Sequence, residues 1–551
     1  QRRLEGGAPG VAGRKPMASR EGRWVMVYNG ELYNDSELRV ELSRLGLEPD
    51  SPSDTATMCQ VLSAWGPQGL RRCRGMFALV AHDTVEQRIV LVRDPLGIKP
   101  LCYAWAQPAD GRGPELVAAS EVTALFEHPH LSPRVDPLGL AAYLCTIRLS
   151  TEGRTLFDGV SVLPPGRVLA FDLGDKGLAC ESWDLPLEGD DGADLCALVE
   201  ESVAQHLRSD VPVCVMLSGG LDSTIIAATT RKHRLRLPTF GAGGDGDGPS
   251  SDAVFAAGLA VQWDMPHHAI RMTQERFTAG VRALISRTGQ PVSTPNETAI
   301  HALGCAIRAS GCRVALTGEG ADELFGGYHA PLQQAVQYID AGGDDPGVAF
   351  LVQSAWVAPQ LLPRVLCPRL ARIAEFGGWL VEAYRKAYED EAARPGPVLL
   401  PRDEALRAHM RLVRRTNLVG LLQRVDSALS QSGVEGRTPL ADRVVAAYAD
   451  ALPMAQKFDP SLPAHEGTKI ALRRAFAGDV PPEIMSRPKA SFPLPFQGWL
   501  GPLFNEVGDH PLIGEFFDRG TWDTVAADPR TNWQLAWPML NVALWARRWF
   551  G

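Results

Sequence analysis

At 551 residues the chain is roughly three to four times an average domain of about 150 residues, so more than one domain is expected. Hydrophobic residues at 45% and charged residues at 22% exclude a disordered chain, a fibre and a small disulfide scaffold, and no apolar run reaches the ~18–20 residues that span a bilayer. Lys+Arg 55 against Asp+Glu 64 leaves a net charge of −9 without a basic stripe, which argues against a nucleic-acid partner.

The chain opens at Gln1 with QRRLEGG, without a methionine and without the basic-then-apolar start of a secretion signal. A removed or missing first segment is the expectation. Up to about residue 185 short strand-like runs alternate with turns: WVMVYNGEL, MFALVAHDT, RIVLVRDPLG, ELVAAS and RVLAFDL. Helical periodicity intervenes at DSELRVELSRLG and DTATMCQVLSAWG, so an α+β domain is expected over 1–185. The acidic, Gly-containing PLEGDDGADL at 186–195 reads as a linker.

From 196 onward strands alternate with helices. VPVCVML is a near-continuous apolar run, as for a parallel strand buried on both faces. LDSTIIAATTRKH, strand-like LRLPTFGAG, a helix capped near Ser251 and Asp252, HHAIRM and TAIHALGCAIRASG follow, and RVALTGEG is the last clear strand. The order predicts a doubly wound parallel sheet. Helical segments without chemistry fill 330–420, and Trp533, Trp537, Trp545 and Trp549 recur at near-helical spacing, as in a packed core helix. The ten cysteines, among them Cys214 in VPVCVML and Cys305 in HALGCAIRA, form no CxxC pair and no metal spacing; they read as small buried hydrophobes in a reducing compartment.

Two motifs carry chemistry. In LSGGLDST, residues 217–224, Gly219 and Gly220 admit a ligand close to the backbone, and helix-start N–H groups with the Ser218 and Ser223 hydroxyls suit a pyrophosphate. A carboxylate inside that cradle would repel phosphate unless a cation intervenes, which makes Asp222 an expected Mg²⁺ ligand. The sequence is not G-x-x-x-x-G-K-[ST], so a P-loop NTPase is excluded. In LTGEGADELFGGY, residues 316–328, Asp322 is the candidate partner of Asp222 across one Mg²⁺. Glu319, between two glycines in a turn, is placed to orient or deprotonate a nucleophile.

With these motifs in order, the chain resembles the glutamine-hydrolysing asparagine synthetase family over nearly its whole length. Further matches are TFGAGG (239–244), RVDSALSQSGVEGRTPLAD (424–442), TKIALRRAF (468–476) and SRPKASFPLPFQGWL (486–500). The resemblance implies that Leu217, Ala242, Thr317 and Gly318 line the adenine and ribose of ATP. It implies that Ser218, Gly219, Gly220, Asp222 and Ser223 hold the phosphates, Glu319 assists at the acyl-adenylate, and Lys489 faces the departing pyrophosphate. Lys469, Asp426 and Arg437 fall in matching positions, where salt bridges are an equal expectation. In the first half VMVYNGELYN, SPSDT, MFALVAHDT, VRDPLGIKPLCYA and ASE resemble the family's class II glutamine amidotransferase domain. They imply that Asn29, Gly30 and Glu31 line the glutamine, Asp54 binds its α-amino group and Arg3 its α-carboxylate.

The fold so implied is an incomplete N-terminal-nucleophile αββα sandwich, then a doubly wound α/β ATP-pyrophosphatase domain (196–551) with a helical extension. The reaction implied is Mg·ATP plus aspartate giving β-aspartyl-AMP and pyrophosphate, then ammonia attack to asparagine and AMP, in a cytoplasmic enzyme, with a homodimer as the family expectation. Family members use an N-terminal cysteine as nucleophile, whereas residue 1 here is Gln. The expectation is a sequence that lacks its first segment; the alternative is a synthetase without the nucleophile. Either way, glutamine hydrolysis by that route is not expected of the chain as it stands. Related ligases acting on another carboxylate, such as β-lactam synthetases or peptide-cyclising enzymes, stay open, as does a non-catalytic scaffold. Glu319, a tyrosine in β-lactam synthetases, favours ammonia chemistry.

Overall fold

The computed structural model describes residues 15–109, 113–173, 179–187, 192–233, 236–244, 251–374, 378–487, 494–508 and 510–551. Four strands come first: β1 Met17–Ala18, β2 Trp24–Leu32, β3 Gly75–Asp83 and β4 Arg88–Arg93. They are followed by β5 Cys102–Ala106, β6 Glu115–Ala119, β7 Ser150–Thr151, β8 Arg154–Thr155 and β9 Val160–Val162. β10 Arg167–Asp172 and β11 Cys180–Asp184 complete the series. One sheet has the order β1-β2-β3-β4-β10-β11 and the other β6-β5-β9-β8-β7.

Period-two alternation decides how these sheets layer. In β2, Trp24, Met26 and Tyr28 turn inward and pack on Leu38, Leu42, Met58 and Leu62 of the helices Asp35–Arg44 and Asp54–Trp65. The opposite face of that sheet, through Ala78, Leu91 and Leu169, meets Tyr103, Trp105 and Leu116 of the second sheet. Beyond the second sheet the helix Pro137–Thr146 packs on Cys102, Ala104 and Val162. The layers therefore run helix, sheet, sheet, helix. Of the expected linker, residues 188–191 lie outside the described residues.

The second region is built on a parallel sheet of β12 Val213–Met216, β13 Thr239–Gly244, β14 His267–Met272, β15 Val314–Leu316 and β16 Glu435–Arg437. Its order is β14-β13-β12-β15-β16, and every neighbour pair is parallel. Successive strands leave β12 on opposite sides, which opens a crevice at the carboxyl ends of β12 and β15. RVALTGEG is therefore not the last strand. β16 was invisible to pattern because Glu-Gly-Arg has no hydrophobic run; it joins through the register Val314↔Glu435 to Leu316↔Arg437.

Helices fill 330–420 as expected, among them Gly378–Ala392 and Pro401–Val413. The helix Trp533–Phe550 buries Trp537 and Trp545 completely. Its indole N–H groups serve the turn ahead of the helix Glu297–Ala309: Trp545 and Trp549 donate to the Gly289 carbonyl at 3.1 and 2.8 Å, and Trp537 to that of Ser293 at 2.8 Å. All ten cysteines are free thiols, and seven are buried. Cys180 and Cys305 are exposed and Cys196 half-buried, so the buried reading fails for these; Cys305 sits on the outer face of its amphipathic helix. Among the described residues, no helix is long and apolar enough to cross a membrane.

Candidate active site

The turn at 218–220 leaves the end of β12. Leu217 is buried, and its N–H donates to the Phe240 carbonyl at 2.8 Å, which ties the turn to β13 beside the buried Ala242. Gly219 has φ +80°, and a Cβ there would lie 2.4 Å from the Asp252 carbonyl oxygen, so only glycine fits. The Ser218 and Ser223 hydroxyls stand 2.9 Å apart, and Ser218 N–H donates to Ser223 Oγ at 3.1 Å. Gly220 closes the turn, its carbonyl accepting from Thr224 Oγ1 at 2.8 Å. From outside, Arg487 donates to the Gly219 carbonyl at 3.0 Å and to Asp252 at 2.7 Å.

The second turn leaves β15. Thr317 N–H donates to the Arg437 carbonyl at 2.9 Å, extending the β15–β16 pairing into the turn. A Cβ on Gly318 would lie 2.7 Å from Ser223 N and 2.8 Å from Asp222 C, so the two motifs are in backbone contact. Glu319 accepts from Arg424 Nη2 at 2.8 Å, and Arg424 Nη1 donates to Thr294 Oγ1 at 3.0 Å. Close by, the buried Glu297 accepts from Ser293 N–H and Oγ, both at 3.0 Å; burial raises its carboxyl to about 7.

Asp222 and Asp322 converge, but on an ammonium. Lys469 Nζ lies 2.6 Å from Asp222 Oδ2 and 2.7 Å from Asp322 Oδ1, with Lys469 itself in the left-handed region at φ +50°. A side chain with a Cβ adopts that conformation at a cost, a pattern that recurs at functional sites. The burial that penalises the Lys469 ammonium is outweighed by the two carboxylates, which raise its pKa. Two hard oxygen donors converging on one cation position suit Mg²⁺, with phosphate oxygens and water completing its coordination.

The residues expected at glutamine gather at the end of β2. Asn29, Gly30 and Glu31 pair with Ala78, Phe77 and Met76 of β3, and Asn29 Nδ2 donates to Ser120 Oγ at 3.3 Å. Asp54 begins the helix Asp54–Trp65 and accepts from Leu32 N–H at 3.2 Å. Glu31 Oε2 faces Arg437 Nη2 at 3.4 Å. Burial raises the Glu31 carboxyl to about 8, against the pull of Arg437, and burial also raises Asp54, against Lys15. Arg3 and Lys489 lie outside the described residues. Asp426 and Arg437 both form salt bridges, to Lys99 at 2.6 Å and Glu435 at 2.7 Å. Arg424, Thr294 and Arg487 were not singled out from sequence; Arg424 and Arg487 stood inside quoted motifs, whereas Thr294 gave no signal.

A serine–glycine turn and an acidic turn at the switch point of a parallel sheet, beside an αββα sandwich, are the frame of a carbon–nitrogen ligase joined to an amidotransferase domain. Residues 194–547 match the asparagine synthase family, and residues 3–183 match the glutamine amidotransferase domain. The chain belongs to the glutamine-hydrolysing asparagine synthetase family. It is 31% identical to the "Putative asparagine synthetase", glutamine-hydrolyzing, of Mycobacterium bovis, over 87% of this chain and 76% of that one. It is 27% identical to asparagine synthetase 3 of Bacillus subtilis, over 87% of this chain and 77% of that one. Among solved structures it aligns with the glutamine phosphoribosylpyrophosphate amidotransferase of B. subtilis at 15% identity, over 57% of this chain and 66% of that one, with a TM-score of 0.22.

Proposed function

We propose that the chain amidates aspartate to asparagine through β-aspartyl-AMP. The observation that carries this reading is the backbone contact between the two turns at Gly318, which puts the phosphate cradle, Asp222 with Asp322, and Glu319 in one crevice. ATP lies along Leu217 to Ser223, with Ala242, Thr317 and Gly318 around its nucleoside. Asp222 and Asp322 would hold Mg²⁺, which when bound would neutralise phosphate charge. The β-carboxylate of aspartate attacks the α-phosphorus and pyrophosphate leaves, towards Lys489. Ammonia then attacks the acyl carbon, Glu319 accepts a proton from the attacking nitrogen, and AMP departs. Arg424 orients Glu319 for that step.

Incubation of the full chain with ATP, Mg²⁺ and aspartate, with ammonium and separately with glutamine, tests the reading. AMP and pyrophosphate in stoichiometric yield with asparagine are expected with ammonium. Turnover with another acid and none with aspartate sinks the acceptor. That alternative, a related ligase of a specialised pathway acting on another carboxylate, is favoured by one observation. A cavity of about 290 Å³ adjoins Asp322 and is lined chiefly by apolar groups such as Leu332, Phe350, Met410 and Val413.

Ammonia derives, in this reading, from glutamine bound at Arg3, Asn29, Gly30, Glu31 and Asp54, or is taken up free where the N-terminal nucleophile is lacking. The raised carboxyls of Glu31 and Asp54 give a prediction of definite sign. A proton on either competes with the positively charged α-amino group of glutamine. Glutamine affinity should therefore weaken as pH falls below about 8, where Glu31 takes up its proton. Calorimetric titration between neutral and alkaline pH measures this, and a flat profile removes Glu31 from the contact.

A further inference from the structure

Arg437 stands on a strand that reaches towards both centres. On β16 it is fully buried, and its carbonyl accepts from Thr317 N–H at 2.9 Å, directly ahead of Gly318 and Glu319. Its side chain runs the other way. Nε pairs with Glu435 at 2.7 Å, and Nη1 donates to the carbonyls of His206 and Arg208 at 2.8 and 2.5 Å. Nη2 faces Glu31 across 3.4 Å. Arg208 in turn donates to the Tyr33 carbonyl at 2.9 Å, and the Tyr33 ring packs on His206 with centroids 3.9 Å apart. From the synthetase side, Arg437 thus faces Glu31 and Arg208 bonds Tyr33, and the Arg208 carbonyl is in turn held by the buried Arg437 guanidinium.

A second connection runs parallel. Lys99 of the first region pairs with Asp426 at 2.6 Å, on the helix Val419–Ser430 that also carries Arg424 and so holds Glu319. A third joins Arg74 to Asp442 at 3.0 Å. A buried charge left without its partner is strongly destabilising, so neither region can drift while these pairs persist.

We propose that Arg437 is a positioning residue shared by the two centres, so that nucleotide bound at 317–319 tightens the backbone at 29–33. The proposal rests on the reading of the first motif and of Thr317–Glu319 as the nucleotide site. Its physical basis is a single peptide unit: whatever fixes Thr317 fixes the Arg437 carbonyl, and with it the root of the guanidinium that faces Glu31 and holds the Arg208 carbonyl. Linkage makes the effect reciprocal, so ordering at 29–33 raises nucleotide affinity by the same factor.

Hydrogen exchange on the full chain, with and without a non-hydrolysable ATP analogue and Mg²⁺, tests it. The analogue should slow exchange at 217–223 and, by about five-fold or more, at 29–33. Arg437→Lys should keep the slowing at 217–223, because the backbone bond to Thr317 survives, and lose it at 29–33. Slowing at 217–223 alone in the unaltered chain overturns the proposal, as does an undiminished effect in Arg437→Lys. No slowing at 217–223 overturns the nucleotide reading and the proposal with it. Should Arg437→Lys fail to fold, Glu31→Ala removes the side chain that Arg437 Nη2 faces while leaving the other bonds of Arg437, and must show the same loss at 29–33.

Discussion

Replacing Asp222 by alanine should reduce pyrophosphate release about 100- to 1,000-fold while the protein stays folded. The loss follows from position: Asp222 lies in the first turn of the helix Leu221–His233, against Gly318 and facing Asp322. Without it one of two oxygen donors for the cation is gone, and phosphate charge is opposed by less. Folding should survive because Lys469 retains Asp322 at 2.7 Å, so no buried charge is stranded. Release measured by a coupled pyrophosphate assay, with a melting curve on the same sample, separates the two effects. Near-normal release would remove the metal role from Asp222.

The larger effect on stability belongs to Lys469. Its ammonium is almost fully buried and lies within 2.7 Å of both carboxylates. Lys469→Met leaves Asp222 and Asp322 facing one another in a poorly solvated place, at a cost of about 3–5 kcal/mol. The same geometry predicts a rescue: Mg²⁺ at millimolar concentration should raise the melting temperature of Lys469→Met much more than that of the parent chain. An equal response of both proteins would show that the carboxylate pair does not take up the ion. In the parent chain a Mg²⁺ held by Asp222 and Asp322 would compete with the Lys469 ammonium for their oxygens.

Much of this was legible in the sequence where local signals were strong. VPVCVML could only be a strand buried on both faces, and SGGLDS directly behind it could only be a turn opening a helix. Ser251 caps its helix as expected, accepting from Val254 N–H at 3.4 Å. What stayed hidden was long-range. β16 has no pattern of its own, because its place is set by the partner β15 and by burial of Arg437. Arg424 lies 105 residues from Glu319, and its role exists only once helix and turn are brought together. For Lys469 a salt bridge was one of two equal expectations, and its partners, the two aspartates expected at metal, lie too far along the chain for pattern to connect. Cys305 looked buried because the apolar neighbours in its run belong to the other face of the helix.

The indoles of the helix Trp533–Phe550 carry one more consequence. The carbonyls they hold, of Gly289 and Ser293, belong to the turn that presents Thr294 to Arg424 and feeds the helix bearing Glu297. Chains emerge from the ribosome N-terminus first, and their domains fold in that order. The phosphate turn can therefore be complete while the floor beneath Thr294 still lacks its hydrogen-bond donors. A nascent chain that stalls before residue 533 would own every residue of the nucleotide cradle and still be unable to hold Arg424 and Glu319 in register.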